Sequence, residues 1–442
     1  MSPTLRDRCV CDHRYDPNNM ISEQAHQALA ALCKQHPDGN IPASGALIRQ
    51  LKQQLGGDAV HQCVAVAMLQ PKARRKFGDG IWWATERSLQ QATPSQVAKI
   101  KSNWLLDSAG PECRIVDACC GMGGDTLELA RAAKDGQWMS PILAVDQDET
   151  LLHMLEQNAA QSGLSDWVCP LRQDVQSVPL DDRCVLHIDP DRRSTPGGRT
   201  VHPDAYSPRW DEFVPIAVQA RSAAIKFAPA ARLQPLIDET ESLQQCPMHR
   251  SWFSWRGDVR EQTLWIGSVV QTAGLAESSV SAVVVRGDGS LRHFAPSESE
   301  SVDENAVPII ASIGEGDWMV DPDSAIRAAG LTTAFAHRIG AGLLHRASGF
   351  LCVQDAARDI AGDLAGFAIH GRVIWAGTAD DRKLRKLLRQ NDWFPQTIKV
   401  RGTDHNPSSL QKRYRECGQT PITLWIGRQG KRVFAAATEV LR

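Results

Sequence analysis

"RIVDACCGMGGDTLELA", residues 114–130, joins two periodicities through three glycines. The apolar run before the turn reads as a short buried strand ending at Cys119 or Cys120, and helical spacing takes over from Asp125 or Thr126. Gly121, Gly123 and Gly124 allow a tight turn and let a ligand approach backbone N–H groups at a helix start. A glycine turn also serves simply to connect strand to helix, so the neighbouring segments decide the reading. "ILAVDQD", "VCPLRQD", "CVLHIDPD" and "SAAIKFA" follow as further apolar runs, separated by helical stretches such as "ETLLHMLEQNAAQSG". This β-α-β-α-β alternation predicts an α/β fold with a parallel sheet covered on both faces.

Before the sheet, from about residue 20 to 105, the spacing is helical. "SEQAHQALAALCKQ" puts Ala25, Leu29 and Leu32 on one face, and "PSQVAKIKSNWLL" opens a helix with Thr93 as N-cap and Pro94 as first residue. Between them, "PKARRKFGDGIWW" sets basic residues beside Phe77, Trp82 and Trp83: a solvated basic turn next to core aromatics, or a substrate-facing segment. After the sheet, "TLWIGSVVQ" and "SAVVVRGDGSLRHFA" read as antiparallel strands, the latter turning at Gly287, Asp288 and Gly289. "PSESESVDEN" reads as an exposed seam and "SAIRAAGLTTAFAHRIG" as one helix. From Gly371 the order strand, helix "DDRKLRKLLRQ", strand "TIKVRG", helix "SSLQKRYREC" and hairpin predicts an α+β unit of ferredoxin-like character. The expected domains are 1–105, helical; 106–275, the parallel sheet; 276–369, a connecting α+β domain; and 370–442, a basic α+β domain.

A chain of 442 residues exceeds one ordinary core, and 42% hydrophobic with 23% charged residues is the balance of a soluble globular protein. No window approaches the roughly 18 uncharged apolar residues of a membrane span, and the charged start "MSPTLRDRCVCDHRYD" is unlike a secretory leader, so a cytoplasmic location and no membrane partner are expected. The twelve cysteines are scattered without a CxxC pair and read as core or incidental thiols. Cys9, Cys11 and His13 could reach a metal but have no second cluster, and no metal is expected. The net charge of −2 conceals an asymmetry: from His370 onward there are 15 Lys/Arg against 6 Asp/Glu, leaving 34 against 45 elsewhere. That basic end suits an anionic partner.

The strand ends carry the chemistry. Asp117 precedes the glycine turn and Asp125 follows it; Asp146, 25 residues after Gly121, ends the next strand, and Asp174 ends the third. Open parallel sheets bind ligands at such ends, where a carboxylate accepts ribose hydroxyls. A lone acid at a strand end is often only solvated, but three consecutive ones converge on a nucleotide-cofactor site. Carboxylates on both sides of the turn oppose a pyrophosphate and suit a cation. S-adenosylmethionine, with its sulfonium and ammonium groups, fits better than a nicotinamide dinucleotide.

With these motifs, residues 113–193 resemble the class I S-adenosylmethionine-dependent methyltransferases, whose domain is Rossmann-like and seven-stranded. Over about residues 70 to 440 the chain is similar to a bacterial methyltransferase family with a THUMP-like C-terminal domain, in "SLQQATPSQVAKIKS", "VDACCGMGGD", "AVDQDETLL", "IDPDRR", "HPDAYSPRW", "AAIKFAP" and "IKVRGTDHNPSSLQKRYR". "TPSQVA" and "VDACCGMGGDTLELA" also resemble trimethylguanosine synthase, an RNA cap methylating enzyme. The resemblance implies that Thr93, Asp117, Gly121, Asp146 and Asp174 line the cofactor, and Cys119, Gly123, Gly124, Asp125, Gln147 and Val175 complete the candidate set. For Thr93, capping and cofactor contact compete.

In amino-group methyltransferases of this kind the fourth strand ends on Asp, Asn or Ser, then two prolines, then an aromatic. Here Asp189 and Pro190 fit, while Asp191 replaces the second proline and Arg192 the ring, with Arg193 next. Asp189 would orient an amine or take its proton. A guanidinium can lie on a base and also grip phosphate, which points to an anionic target; alternatively Arg192 and Arg193 pair with Asp191, Asp204 or Asp211 and shape the loop. Tyr206 and Trp210 are candidate stacking rings. Asp189, Pro190, Arg192 and Arg193 form the candidate catalytic set. The leading reading is methylation of a base amino group of RNA, with RNA as partner. The alternatives are a methyltransferase acting on a small anionic metabolite or protein, and a non-catalytic RNA-binding module.

Overall fold

The computed structural model describes residues 23–42, 45–55, 57–192, 200–300, 303, 306–346, 348–354 and 360–440. Cys9, Cys11, His13 and Arg193 lie outside the described residues. The chain divides into two units, Met1–Ser251 with Arg260–Ser279, and Trp252–Val259 with Val280–Arg442.

In the first unit, five strands are parallel: β1 (Arg114–Ala118), β2 (Ile142–Asp146), β3 (Val168–Arg172), β4 (Cys184–Ile188) and β5 (Ser222–Phe227). They are followed by β6 (Met248–Trp255) and β7 (Asp258–Gly267), with β7 antiparallel to β5, giving the order β3-β2-β1-β4-β5-β7-β6. β6 was not legible as a strand, because "MHRSWFSW" mixes polar with apolar residues. The order reverses between β1 and β4, which leaves a crevice beyond their carboxyl ends. β4 and β5 are buried along their whole length, as strands covered on both faces must be.

Five helices precede the sheet: α1 (Glu23–Gln35), α2 (Gly45–Leu55), α3 (Gly57–Phe77), α4 (Glu86–Gln91) and α5 (Ser95–Leu106). The expected basic turn is instead the last turn of α3, where Arg74, Arg75 and Lys76 complement the negative helix end. Trp82 and Trp83 are buried. α6 (Thr126–Asp135) and α7 (Glu149–Gln161) cross between β1, β2 and β3, and α8 (Trp210–Ala217) precedes β5. On the α8 side, Val116, Ile188, Phe213, Phe227 and Leu264 share one core.

In the second unit, β8 (Ser279–Val285) and β9 (Leu291–Phe294) form an antiparallel pair. A separate sheet holds β10 (Trp318–Pro322), β11 (Gly342–Leu343), β12 (Leu351–Val353), β13 (Ala368–Thr378), β14 (Trp393–Arg401), β15 (Thr420–Gln429) and β16 (Arg432–Glu439), in the order β11-β12-β10-β13-β16-β15-β14. The single helix expected around residue 330 is two, Ser324–Ala328 and Thr332–Ile339, broken at Gly330 with φ +73°. The C-terminal part is α+β, with helix Pro407–Tyr414 linking the parallel neighbours β14 and β15, an order that differs from the split pairing of a ferredoxin fold. Helix Asp381–Gln390 buries Leu384 and Leu388 and turns its cations outward.

Candidate active site

The carboxyl ends of β1 to β4 open on a cavity of about 680 Å³. β1 stops at Ala118, one residue before the expected end, because Cys119 takes a left-handed backbone with φ +56°. Gly121 is also left-handed, at φ +55°, and a Cβ built on it would meet nothing within 4 Å, so its bare face looks into open space. At Gly124 a Cβ would come within 3.2 Å of Ala92 and of the Thr93 backbone, and at Gly123 within 2.3 Å of Leu155, so these two serve chain packing. Asn158, fully buried on α7, fixes the turn by donating to the Met122 carbonyl at 3.0 Å and accepting from the Trp83 N–H at 2.8 Å.

Among the residues expected to meet a cofactor, Asp117, Cys119, Gly121, Gly124 and Asp125 line this cavity from the β1 side. Asp146 and Gln147 reach it from β2, and Asp174 and Val175 from β3. Gly123 and Thr93 stand off its wall. One Asp146 oxygen accepts from the Gly121 N–H at 2.9 Å and the other from the Asp148 N–H at 2.9 Å, while burial raises its pKa. Asp174 accepts from Gln147 Nε2 at 2.9 Å and caps the 3-10 turn Val175–Ser177. The Cys119 thiol is pushed well above its ordinary range by burial and then by Asp146, Asp189, Asp117 and Asp174. Burial works against any charge here, while the four surrounding carboxylates disfavour an anion and favour a cation. That field, with the open face of Gly121, fits a cofactor bearing a sulfonium and an ammonium.

Beneath the turn lies a buried polar network. Lys101, 1% exposed, sits 2.8 Å from Asp125 Oδ1 and 2.7 Å from Glu261 Oε1. Burial alone would discharge it, but the two carboxylates outweigh burial and hold its pKa above the ordinary value. Asp125 is driven the other way: desolvation opposes its charge, yet Lys101, His187 and Lys226 hold its pKa well below the usual range. Thr93 is not the N-cap of α5, a place taken by Pro94 with no side-chain bond. Its hydroxyl donates to Asp125 Oδ2 at 2.6 Å, with Glu261 Oε2 at 3.3 Å. On β4, His187 Nδ1 lies 2.7 Å from Asp117 Oδ1, whose other oxygen accepts from the Thr126 hydroxyl. The parallel register makes Asp117 and His187 direct partners.

At the end of β4, Asp189, Pro190, Asp191 and Arg192 line the same cavity. Lys226, 4% exposed on β5, places Nζ 2.6 Å from Asp189 Oδ2 and donates to the Gln91 carbonyl at 2.9 Å. Asp191 pairs with Arg87 and accepts from Gln91 Nε2 at 2.8 Å, both from α4. Its backbone exchanges hydrogen bonds with Ser207 at 2.9 and 3.0 Å. Tyr206 and Trp210 are not stacking rings: they are 2% and 5% exposed and pack against Phe227.

Sequence reasoning missed Arg87, Gln91, Lys101, His187, Lys226 and Glu261. Three carried a signal: Lys226 puts a charge into a fully buried strand, His187 interrupts the apolar run of β4, and Lys101 falls on the buried stripe of α5 with Val97, Ala98 and Leu105. A charge on a buried face implies a partner. Which partner it meets is not local information. Among the described residues, no group of three or more His, Cys, Asp or Glu side chains is placed to hold a metal ion. Nor is any helix among them long and apolar enough to cross a membrane.

No family model matches the chain. Over 389 residues it is 29% identical to uncharacterised S-adenosylmethionine-dependent methyltransferases of two Mycobacterium tuberculosis strains, CDC 1551 and H37Rv, across 85% of this chain and 94% of each relative. Its fold is similar to a crystal structure from Porphyromonas gingivalis W83 described as a methyltransferase, with TM-score 0.62, 14% identity, and coverage of 96% of this chain and all of that one.

Proposed function

We propose that this chain, an S-adenosylmethionine-dependent methyltransferase with the class I fold, methylates an amino group on an RNA base. The observation that carries the reading is one cavity shared by the strand-end acids and Asp189. In this assignment Asp146 accepts the ribose hydroxyls, and Gln147, Asp174 and Val175 border the adenine. Gly121, Gly124 and Cys119 offer backbone at the open turn, while Asp117 and Asp125 supply the negative surround; Thr93 holds Asp125 from behind and Gly123 lets the turn pack against Leu155. Bound there, the cofactor would supply an electrophilic methyl group to the acceptor nitrogen, and Asp189 would take the proton that nitrogen sheds on methylation. Asp189 and the Pro190 backbone accept the N–H bonds of the acceptor and aim the lone pair; in-line transfer depends mostly on that positioning. Arg192, with Arg193, lies on the base or grips a flanking phosphate.

The RNA assignment is supported by the outer face of helix Asp381–Gln390, where Arg382, Lys383, Lys386 and Arg389 are exposed. Cationic side chains of this kind grip phosphates regardless of base. In this reading residues 106–275 are the catalytic domain, 1–105 and 276–369 flank it, 370–442 is the THUMP-like RNA grip, and the enzyme works in the cytoplasm. The likeness to trimethylguanosine synthase belongs here too, as an analogy for a base amino target. The test is tritium transfer from labelled S-adenosylmethionine into total RNA by wild type and Asp189→Ala. Transfer abolished in the variant is expected. Label entering only protein or small molecules sinks the RNA assignment.

A further inference from the structure

Lys226 is the one charged residue on the buried strand β5, and it is joined to two parts of the acceptor end at once. One ammonium N–H points to Asp189 Oδ2 at 2.6 Å and another to the Gln91 carbonyl at 2.9 Å. Gln91 and Ala92 lie at the carbonyl end of α4, where Lys76 also donates, to Leu89 at 2.6 Å and Ala92 at 2.7 Å. From the same short helix, Arg87 and Gln91 hold Asp191. Lys226 thus ties the end of β4 to α4, two segments separated by about a hundred residues of chain.

The charge consequence is as direct as the geometry. A bare carboxylate facing a cleft attracts ammonium groups, and an ammonium has no lone pair with which to accept a methyl group. With Lys226 beside it, the Asp189 pair is neutral overall, one carboxylate oxygen is engaged, and the other is left to accept an N–H bond. An arriving cation meets a cation 2.6 Å from the carboxylate it would seek. We propose that Lys226 is the positioning and specificity-determining residue of the acceptor site: it orients Asp189 toward an uncharged nitrogen and turns away protonated amines. This rests on the assignment of Asp189 to the acceptor above.

The experiment uses a lysate from cells lacking this chain, given labelled S-adenosylmethionine and purified enzyme, with label counted separately in RNA, protein and small molecules. Wild type, Lys226→Met and Lys226→Arg are compared, and binding of S-adenosylhomocysteine to each is measured by calorimetry. In whichever fraction wild type labels, Lys226→Met is expected to fall at least thirtyfold in kcat, with S-adenosylhomocysteine affinity within twofold of wild type and Lys226→Arg regaining at least a tenth of the rate. Label found on protein lysine side chains, full transfer by Lys226→Met, or loss of S-adenosylhomocysteine affinity equal to the loss of rate each overturns the proposal. The fraction labelled by wild type decides the RNA reading separately from these ratios. Absence of label from every fraction overturns both.

Discussion

Two charged regions differ in almost every physical respect. In the first unit, Lys101, Asp125, Glu261, His187 and Asp117 are each 6% exposed or less and interlock beneath the glycine turn. In the second, Arg382, Lys383, Lys386 and Arg389 stand in solvent on one helix. Buried charges act through geometry, since each desolvated group needs its partner in place and tolerates no substitution alone. Exposed charges act through their summed field, are screened by salt, and are replaceable one at a time. The first region is suited to fixing a cofactor turn and the second to holding a polyanion.

The largest effect should come from breaking the buried side. Lys101→Met removes the ammonium that bridges Asp125 and Glu261 and is expected to cost about 3 to 5 kcal/mol in denaturant unfolding. Adding Glu261→Gln should return part of that loss. No recovery would mean that Lys101 acts by packing alone. Thr93→Val removes the hydroxyl that donates to Asp125 while keeping its volume, and should cost about 1.5 to 3 kcal/mol by the same measurement.

The exposed side should behave in the opposite way. Changing Arg382, Lys383, Lys386 and Arg389 together to Gln should shift stability by only about 0.5 kcal/mol or less for each exposed site. On the proposed RNA reading, binding by filter retention should weaken, and the slope of log affinity against log salt should become shallower by about 0.7 for each single-strand phosphate that no longer meets a cation. A salt slope unchanged by the fourfold variant would detach this helix from RNA.

The smallest effect concerns His187. Burial opposes its charge, but Asp125 and Asp117 together outweigh burial and Lys101, and its pKa lies above the ordinary value. Its contribution to stability is therefore complete below the unfolded-state value of about 6.5 and is lost as pH rises through the higher folded value. His187→Gln should flatten the unfolding free energy over that window. A wild-type curve already flat there would show that His187 stays neutral.

Much of this site was readable because it is local. The glycine turn, Asp146 after "ILAV", Asp174 after the third run and Asp189 after the fourth all announce themselves by position at the end of an apolar run, and such ends converge in a parallel sheet. What went unread is long-range. Glu261 meets Lys101 across 160 residues and Thr93 across 168; Arg87 meets Asp191 across 104; Lys226 meets Asp189 across 37. Tyr206 and Trp210 failed in the other direction, since an aromatic in a glycine-rich, charged stretch reads as exposed, yet both fill the core beside Phe227.

The sequence by itself determined the strand-and-helix alternation, the glycine-rich turn, and the acids at the strand ends, because backbone sterics and hydrophobic spacing act over a few residues. Only the tertiary structure decided which cation neutralises which of those acids. A desolvated charge takes whichever partner the packed sheet brings within hydrogen-bond reach, and that distance is set by the whole chain at once.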